Sequence, residues 1–278
     1  MAAEQGFVHP ELVVSPEWVK AHLDDPDVCL IDARPAEAYN EGHLPGAANV
    51  DFFPLHLYDT HPEALGAFNG MMEGVLQEAG VSAGKRVVFY EESAGMRAAR
   101  GVWHLDYYGH PSTALMDGGF AAWQRLGYPV TRLPHEPARG DFKVAPRPER
   151  VATFQDVLDR LGKAGVRIFD VRSDGEYTGK VVRAKRGGAI PGAVHLEWLK
   201  ALREDGSLRS AAELRAMFEA RGITPDQEIV TYCQGGYRSA HTYLMLRMLG
   251  YPRVRNYVGS WGEWGNRPDL PLEVPTQP

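Results

Sequence analysis

The sequence predicts an α/β protein of two tandem domains, each a parallel β-sheet flanked by helices. Three observations carry this. The chain of 278 residues has the length of two medium domains. It repeats itself once in the same order. Short β-branched runs alternate with helix-like segments throughout, the pattern of βαβ crossovers.

The repeat is legible element by element. "LIDARPAEAYNEGHLPGAANV" (Leu30 to Val50) matches "IFDVRSDGEYTGKVVRAKRGGAIPGAVHL" (Ile168 to Leu196), sharing D-x-R, a tyrosine and P-G-A. "VVFYEESAGMRAARGVW" then matches "IVTYCQGGYRSAHTYL", and "YGHPSTALMDGGFAAWQRLGYPV" matches "LGYPRVRNYVGSWGEWGNRPDLP". In the second copy, strands are expected over Ile168–Val171, Glu228–Tyr232 and Val254–Val258, with helices over Ser210–Arg221 and Arg238–Leu249. Between the copies, "RLPHEPARGDFKVAPRPER" is rich in proline and charge and reads as an extended linker. The domains are expected at 10–133 and 150–278, with the linker at 134–149.

Composition narrows the function. A formal net charge of −6 gives no global basic field, which argues against nucleic-acid binding and leaves room for a local positive pocket. There is no long apolar run, and "MAAEQGFVHPELVVSPEW" lacks the basic start and apolar core of a secretory signal, so a soluble, cytoplasmic protein with no membrane partner is expected. The two cysteines, Cys29 and Cys233, stand far apart without metal-ligand spacing; no metal, no cofactor and no disulfide framework are expected.

Cys29, in "PDVCLIDAR", begins a strand and reads as a small core hydrophobe. Cys233 is different. It closes a β-rich run, and "QGGYR" follows before a helix-like segment. In open α/β sheets, ligands sit outside the carboxyl ends of the strands. The glycines permit close approach of backbone to a ligand, and N–H groups at a loop curling into a helix favour an anion and a thiolate. Arg238, in the first helical turn, opposes the helix dipole and therefore implies an anion nearby.

These residues resemble the rhodanese sulfurtransferases, specifically the two-domain thiosulfate sulfurtransferases, from about residue 10 to 275. "DVRSDGEY", "GAIPGAVHLEW", "IVTYCQGGYRSA" and "LGYPRVRNYVGSWGEWGNRPDLP" carry the resemblance, with their N-terminal echoes. It implies two rhodanese-like domains, of which the first is non-catalytic, because Glu91 stands where the second has Cys233. It also separates rivals by loop length: related phosphatases use Cys-x5-Arg, whereas Cys233 to Arg238 is Cys-x4-Arg.

The expected reaction moves sulfane sulfur from thiosulfate to a thiophilic acceptor, cyanide or a thiol, through a Cys233 persulfide. Backbone N–H groups of Gln234, Gly235, Gly236, Tyr237, Arg238 and Ser239 would stabilise that persulfide, and Arg238 would bind the donor's sulfonate. Arg172 either supports the site or pairs with Asp170 or Glu176; Asp170 is either a supporting residue orienting Arg238 and the loop or a cap. The basic insert with Lys180, Arg183, Lys185 and Arg186 is either a solvated face or a steering surface for anions. Trp261 and Trp264 are read as core, and neither His195 nor His241 as a catalytic partner.

A 3-mercaptopyruvate sulfurtransferase and a persulfide carrier to a protein partner are the alternatives. Relatives that use mercaptopyruvate carry arginine where this chain has Glu176, whose carboxylate would repel the keto acid. The internal pairing of domains makes a monomer the expected state.

Overall fold

In the computed structural model, which describes residues 6–278, the duplication becomes two five-stranded sheets of the same strand order. The first compact unit comprises the chain through Leu55, Gly66–Arg147 and Leu202–Ser210; the second comprises His56–Leu65, Pro148–Ala201 and Ala211–Pro278. Each unit therefore borrows a short segment from the other sequence repeat. Neither segment was visible as an exchange in the repeat pattern.

The first unit contains β1 (Val13–Val14), α1 (Pro16–Ala21), β2 (Val28–Asp32), α2 (Ala36–Glu41), β3 (Ala48–Asn49), most of α3 (Pro62–Glu78), β4 (Arg86–Tyr90), α4 (Met96–Tyr107), β5 (Thr113–Met116) and α5 (Gly119–Arg125). Its sheet runs β1-β5-β4-β2-β3, every pair parallel. Cys29 lies buried on β2, where burial pushes its thiol up to about 11, so it stays a neutral packing group.

The proline-rich segment expected as a linker is extended but tied down. Gly140 N–H donates to Gln77 O at 2.8 Å, Gln77 Nε2 donates to Phe142 O at 2.8 Å, and the Phe142 ring is buried. A Cβ at Gly140 would lie 1.9 Å from the Val81 carbonyl oxygen, so only glycine allows this approach. Up to Arg147 the segment belongs to the first unit.

The second unit contains β6 (Val151–Ala152), α6 (Phe154–Leu158), β7 (Val166–Asp170), α7 (Asp174–Tyr177), β8 (Val194–His195), α8 (Ala211–Glu219), β9 (Glu228–Tyr232), α9 (Tyr237–Met248), β10 (Val254–Tyr257) and α10 (Ser260–Trp264). Its order is β6-β10-β9-β7-β8, again wholly parallel, with β9 central and Val230 opposite Ile168 and Arg255. Elements read from the sequence lie within about two residues of these bounds, the usual latitude of helix and strand ends.

Burial explains the patterns. Ile229 to Tyr232 are buried on both faces of β9, as a central parallel strand requires, and α9 is buried almost all round. One face of the sheet packs Val230, Tyr232, Tyr257, Trp261, Trp264 and Tyr177 into a single aromatic-rich core. Trp261 and Trp264 are core residues, their indole N–H groups donating to Arg186 O and Pro271 O. Among the described residues, no helix is long and apolar enough to cross a membrane.

Candidate active site

β9 ends at Tyr232, and the chain turns through Cys233–Gly236 into α9. Gly236 has φ +84°, a left-handed conformation that lets the loop double back into the helix. That turn aims Gly236 N–H at Cys233 Sγ, 3.2 Å away. Cys233 is 1% exposed, at the carboxyl end of the central strand.

A second turn holds the loop from behind. Cys233 N–H donates to Ser260 Oγ at 3.0 Å, while Trp261 N–H and Gly262 N–H at the start of α10 donate to Cys233 O (2.9 Å) and Gln234 O (2.7 Å). These helix N–H groups would otherwise lack partners, so the loop and α10 satisfy one another. Ser260 has φ +52°, the one positive φ outside glycine among the described residues. Its hydroxyl donates to Tyr257 O at 2.7 Å, an anchor for this uncommon conformation.

A third support comes from the 56–65 segment. His56 and Tyr58 rings stack 5.1 Å apart and lie against Gly235 and Gly262: a Cβ on Gly235 would meet His56 Cδ2 at 2.5 Å, and one on Gly262 would meet Tyr58 Cε1 at 2.2 Å. Below them Thr60 donates its backbone N–H and its hydroxyl to buried Glu263, each at 2.8 Å, and the Tyr257 hydroxyl reaches the same carboxylate. Burial raises the Tyr58 phenol's pKa, with the Cys233 charge acting in the same direction.

Electrostatics favour the thiolate. Burial resists ionisation of Cys233, but the Arg238 charge and hydrogen bonding at the loop win, and its pKa lies below that of an ordinary thiol. Arg238 in turn forms a two-armed ion pair with Glu176, Nη1–Oε2 at 2.6 Å and Nη2–Oε1 at 2.8 Å. Burial would raise the Glu176 pKa, yet the Arg238 pair and the bonds from Ser173 bring it down to about 2. Ser173 and Glu176 also form the capping box of α7, so the carboxylate is fixed by its own helix start.

The residues singled out from sequence therefore separate into groups. Cys233, the 234–239 loop and Arg238 meet at one point. Arg172 does not join them: it is 1% exposed, pairs with Asp170 (Nη2–Oδ2 at 2.6 Å), donates to Gly188 O at 2.7 Å and stacks on Trp261. Asp170 receives that arginine and the Tyr232 hydroxyl rather than the loop N–H groups. The first unit repeats this arrangement with Arg34 on Asp32 and Gly42 O, both bonds at 2.7 Å, in a repeat that has Glu91 where the second has Cys233. Its recurrence there marks the Asp-Arg pair as architecture, tying the strand end to the following turn.

The basic insert also divides. Arg186 donates to Trp264 O and Leu270 O and pins the C-terminal segment. Arg183 is half exposed, lies 3.5 Å from Glu176 Oε1, and its carbonyl accepts from Gln234 Nε2, which places it beside the loop. Lys180 and Lys185 are exposed. His195 stacks on Tyr177 and reaches Asp174, and His241 is buried against Trp198.

In the first unit the equivalent turn from β4 into α4 holds a buried carboxyl of its own. Glu91 Oε1 accepts from Arg97 N–H at 2.6 Å and from Ala98 N–H at 3.4 Å. Burial pushes this carboxyl up to about 7. Among the described residues, no group of three or more His, Cys, Asp or Glu could hold a metal ion.

The rhodanese-like domain family matches the chain twice, over residues 15–126 and 153–267. The chain belongs to the rhodanese family. This rhodanese is 40% identical, over 96% of its length and 99% of the relative's, to a thiosulfate sulfurtransferase of Azotobacter vinelandii. It is 38% identical, over 96% and 98%, to the sulfur carrier protein TtuD of Thermus thermophilus. Its fold is that of the Escherichia coli SseA crystal structure, described as a 3-mercaptopyruvate sulfotransferase, with a TM-score of 0.79 at 30% identity over 90% of this chain and 98% of that one.

Proposed function

We propose that this rhodanese is a thiosulfate sulfurtransferase in which Cys233 carries the sulfur. The observation that carries the reading is the buried Cys233 sulfur with a backbone N–H aimed at it and Arg238 beside it. The thiolate attacks the outer sulfur of thiosulfate; the bond between the two donor sulfurs breaks, and sulfite leaves with its electron pair. A thiophilic acceptor then takes the outer sulfur of the Cys233 persulfide and returns the thiolate, so with cyanide the product is thiocyanate. No external oxidant and no general base are needed.

The loop N–H groups from Gln234 to Ser239 would hold the persulfide anion as fixed dipoles. The Glu176 pair occupies both arms of Arg238, so its part is to hold positive charge near the sulfur, while half-exposed Arg183 offers a freer guanidinium to the donor. The same pair answers the objection to mercaptopyruvate drawn from Glu176, because its charge is matched at contact distance. The similarity to TtuD favours delivery of the persulfide to a protein as a second reading. The first domain, with Glu91 in place of a thiol, would be non-catalytic, and the protein would act as a cytoplasmic monomer.

Initial rates with varied thiosulfate and cyanide test the reading. Parallel double-reciprocal lines are expected for a ping-pong enzyme. Intersecting lines, or no thiocyanate with thiosulfate as donor, would overturn it.

A further inference from the structure

Ser239 follows Arg238 in the first turn of α9, and its hydroxyl oxygen lies 3.5 Å from Cys233 Sγ. A hydroxyl has one proton to give. The same oxygen is 2.7 Å from Asn256 Oδ1 on β10, and Asn256 Nδ2 is 3.1 Å from Gly236 O. A carbonyl can only accept, so the amide must turn its NH2 to Gly236 and its oxygen to Ser239. The Ser239 proton is thereby drawn to Asn256. Ser239 Oγ also lies within donating distance of Cys233 Sγ, at 3.5 Å, but its single proton goes to the much nearer acceptor at 2.7 Å.

We propose that Asn256 is a positioning residue that turns the Ser239 hydroxyl proton away from Cys233 Sγ, leaving the reactive sulfur to the loop N–H groups and Arg238. Ser239 and Asn256 are both fully buried, so water does not compete for either group. Asn256 also fastens Gly236, the residue whose N–H points at the sulfur, so one amide fixes both the backbone donor and the hydroxyl. The consequence is a thiolate less stabilised than the residues around it would allow. A weaker hold on the sulfur favours its attack and its release, since nucleophilicity falls as the thiol becomes more acidic.

The charged and titratable groups facing the sulfur are few. Arg238 from α9 carries the positive charge, Glu176 from α7 reaches it through Arg238, Asp170 at the end of β7 acts on Arg238, Arg183 stands beside the loop, and the His56 ring and the Tyr58 phenol approach from the 56–65 segment. None of them lies on β10. A change at Asn256 therefore reaches the sulfur through Ser239 and the loop.

The inference rests on Cys233 being the reactive thiol, and its test reads that thiol directly without any sulfur transfer. The pH dependence of iodoacetamide alkylation of Cys233 is measured in the sulfur-free parent, Ser239→Ala, Asn256→Ala and the double variant; buried Cys29, with its pKa near 11, stays outside the window. Asn256→Ala should lower the midpoint by about one pH unit, because the freed hydroxyl turns to the thiolate. Ser239→Ala alone should leave the midpoint close to the parent's, and Asn256→Ala should have little effect in the Ser239→Ala background. Equal shifts from Asn256→Ala in both backgrounds would overturn the inference. So would a rise of about one pH unit in Ser239→Ala alone, a result that stands even if Asn256→Ala does not fold.

Discussion

The Arg238 guanidinium and the Glu176 carboxylate, 62 residues apart in sequence, meet through two parallel bonds of 2.6 and 2.8 Å beside the Cys233 loop. A cation that would otherwise be free to grip the donor is held by a partner on α7. The site thus keeps a positive field at the sulfur while Arg238 already has a carboxylate partner.

Glu176→Gln should release that arginine. Removing a negative charge beside an anionic donor is expected to lower the thiosulfate KM by about fivefold, roughly 1 kcal/mol of interaction near a protein surface. The glutamine keeps a capping oxygen for α7 but leaves Arg238 half-matched, so stability should fall by about 2 kcal/mol. An unchanged KM would mean that the donor never approaches this pair.

Arg238→Ala should move the activity profile in the opposite direction. Arg238 is the foremost influence lowering the Cys233 pKa, so its loss raises that pKa, and the thiolate then forms only at higher pH. The acid limb of kcat/KM against pH should shift to the alkaline side, with a loss of about 100-fold near neutrality. Arg238→Lys should recover part of the shift, since a lysine returns the charge without the fork.

Glu91→Gln tests the buried carboxyl of the first unit. Its folded pKa of about 7 lies above the ordinary carboxylate value of 4.5. Folding therefore favours the protonated form: the associated stability is full below the unfolded pKa and is lost as pH rises through the folded one. A neutral glutamine avoids that loss, so the variant should melt a few degrees higher at about pH 8 and close to the parent at about pH 4. Equal melting temperatures at both values would contradict the assignment.

Gly262→Ala tests the support behind the loop. The added Cβ would fall 2.2 Å from Tyr58 Cε1 and 2.8 Å from the backbone oxygen of Gln234, so ring and loop cannot both stay in place. Displacing the loop moves the N–H groups that face the sulfur, and kcat should drop by at least about 100-fold. A methyl group accepted without loss would show that the 56–65 segment is free to move aside.

Much of this was legible in the chain. The tandem sheets follow from a repeat that preserves order, and the Cys233 turn follows from glycines placed between a strand and a helix, because both signals are local. The Arg238–Glu176 pair was not legible, although both residues were noticed, because pairing depends on how α7 and α9 face one another. Glu176 read by itself was a repulsive charge; beside Arg238 it is a matched one. Arg172 stood between two readings until the buried Asp170 contact, and its twin at Arg34 and Asp32, showed the architectural one. Asn256, Ser260, Thr60 and Tyr58 had no sequence signal at all. They act on the loop from β10, α10 and a segment of the opposite repeat, and only the fold brings them there.

The most direct test of the account is the intact mass of the sulfur-free protein after brief exposure to thiosulfate. The parent should gain the mass of one sulfur atom and lose it on addition of cyanide, while Cys233→Ser should gain nothing. A parent that stays unmodified, or a Cys233→Ser protein that takes up the sulfur, would contradict it.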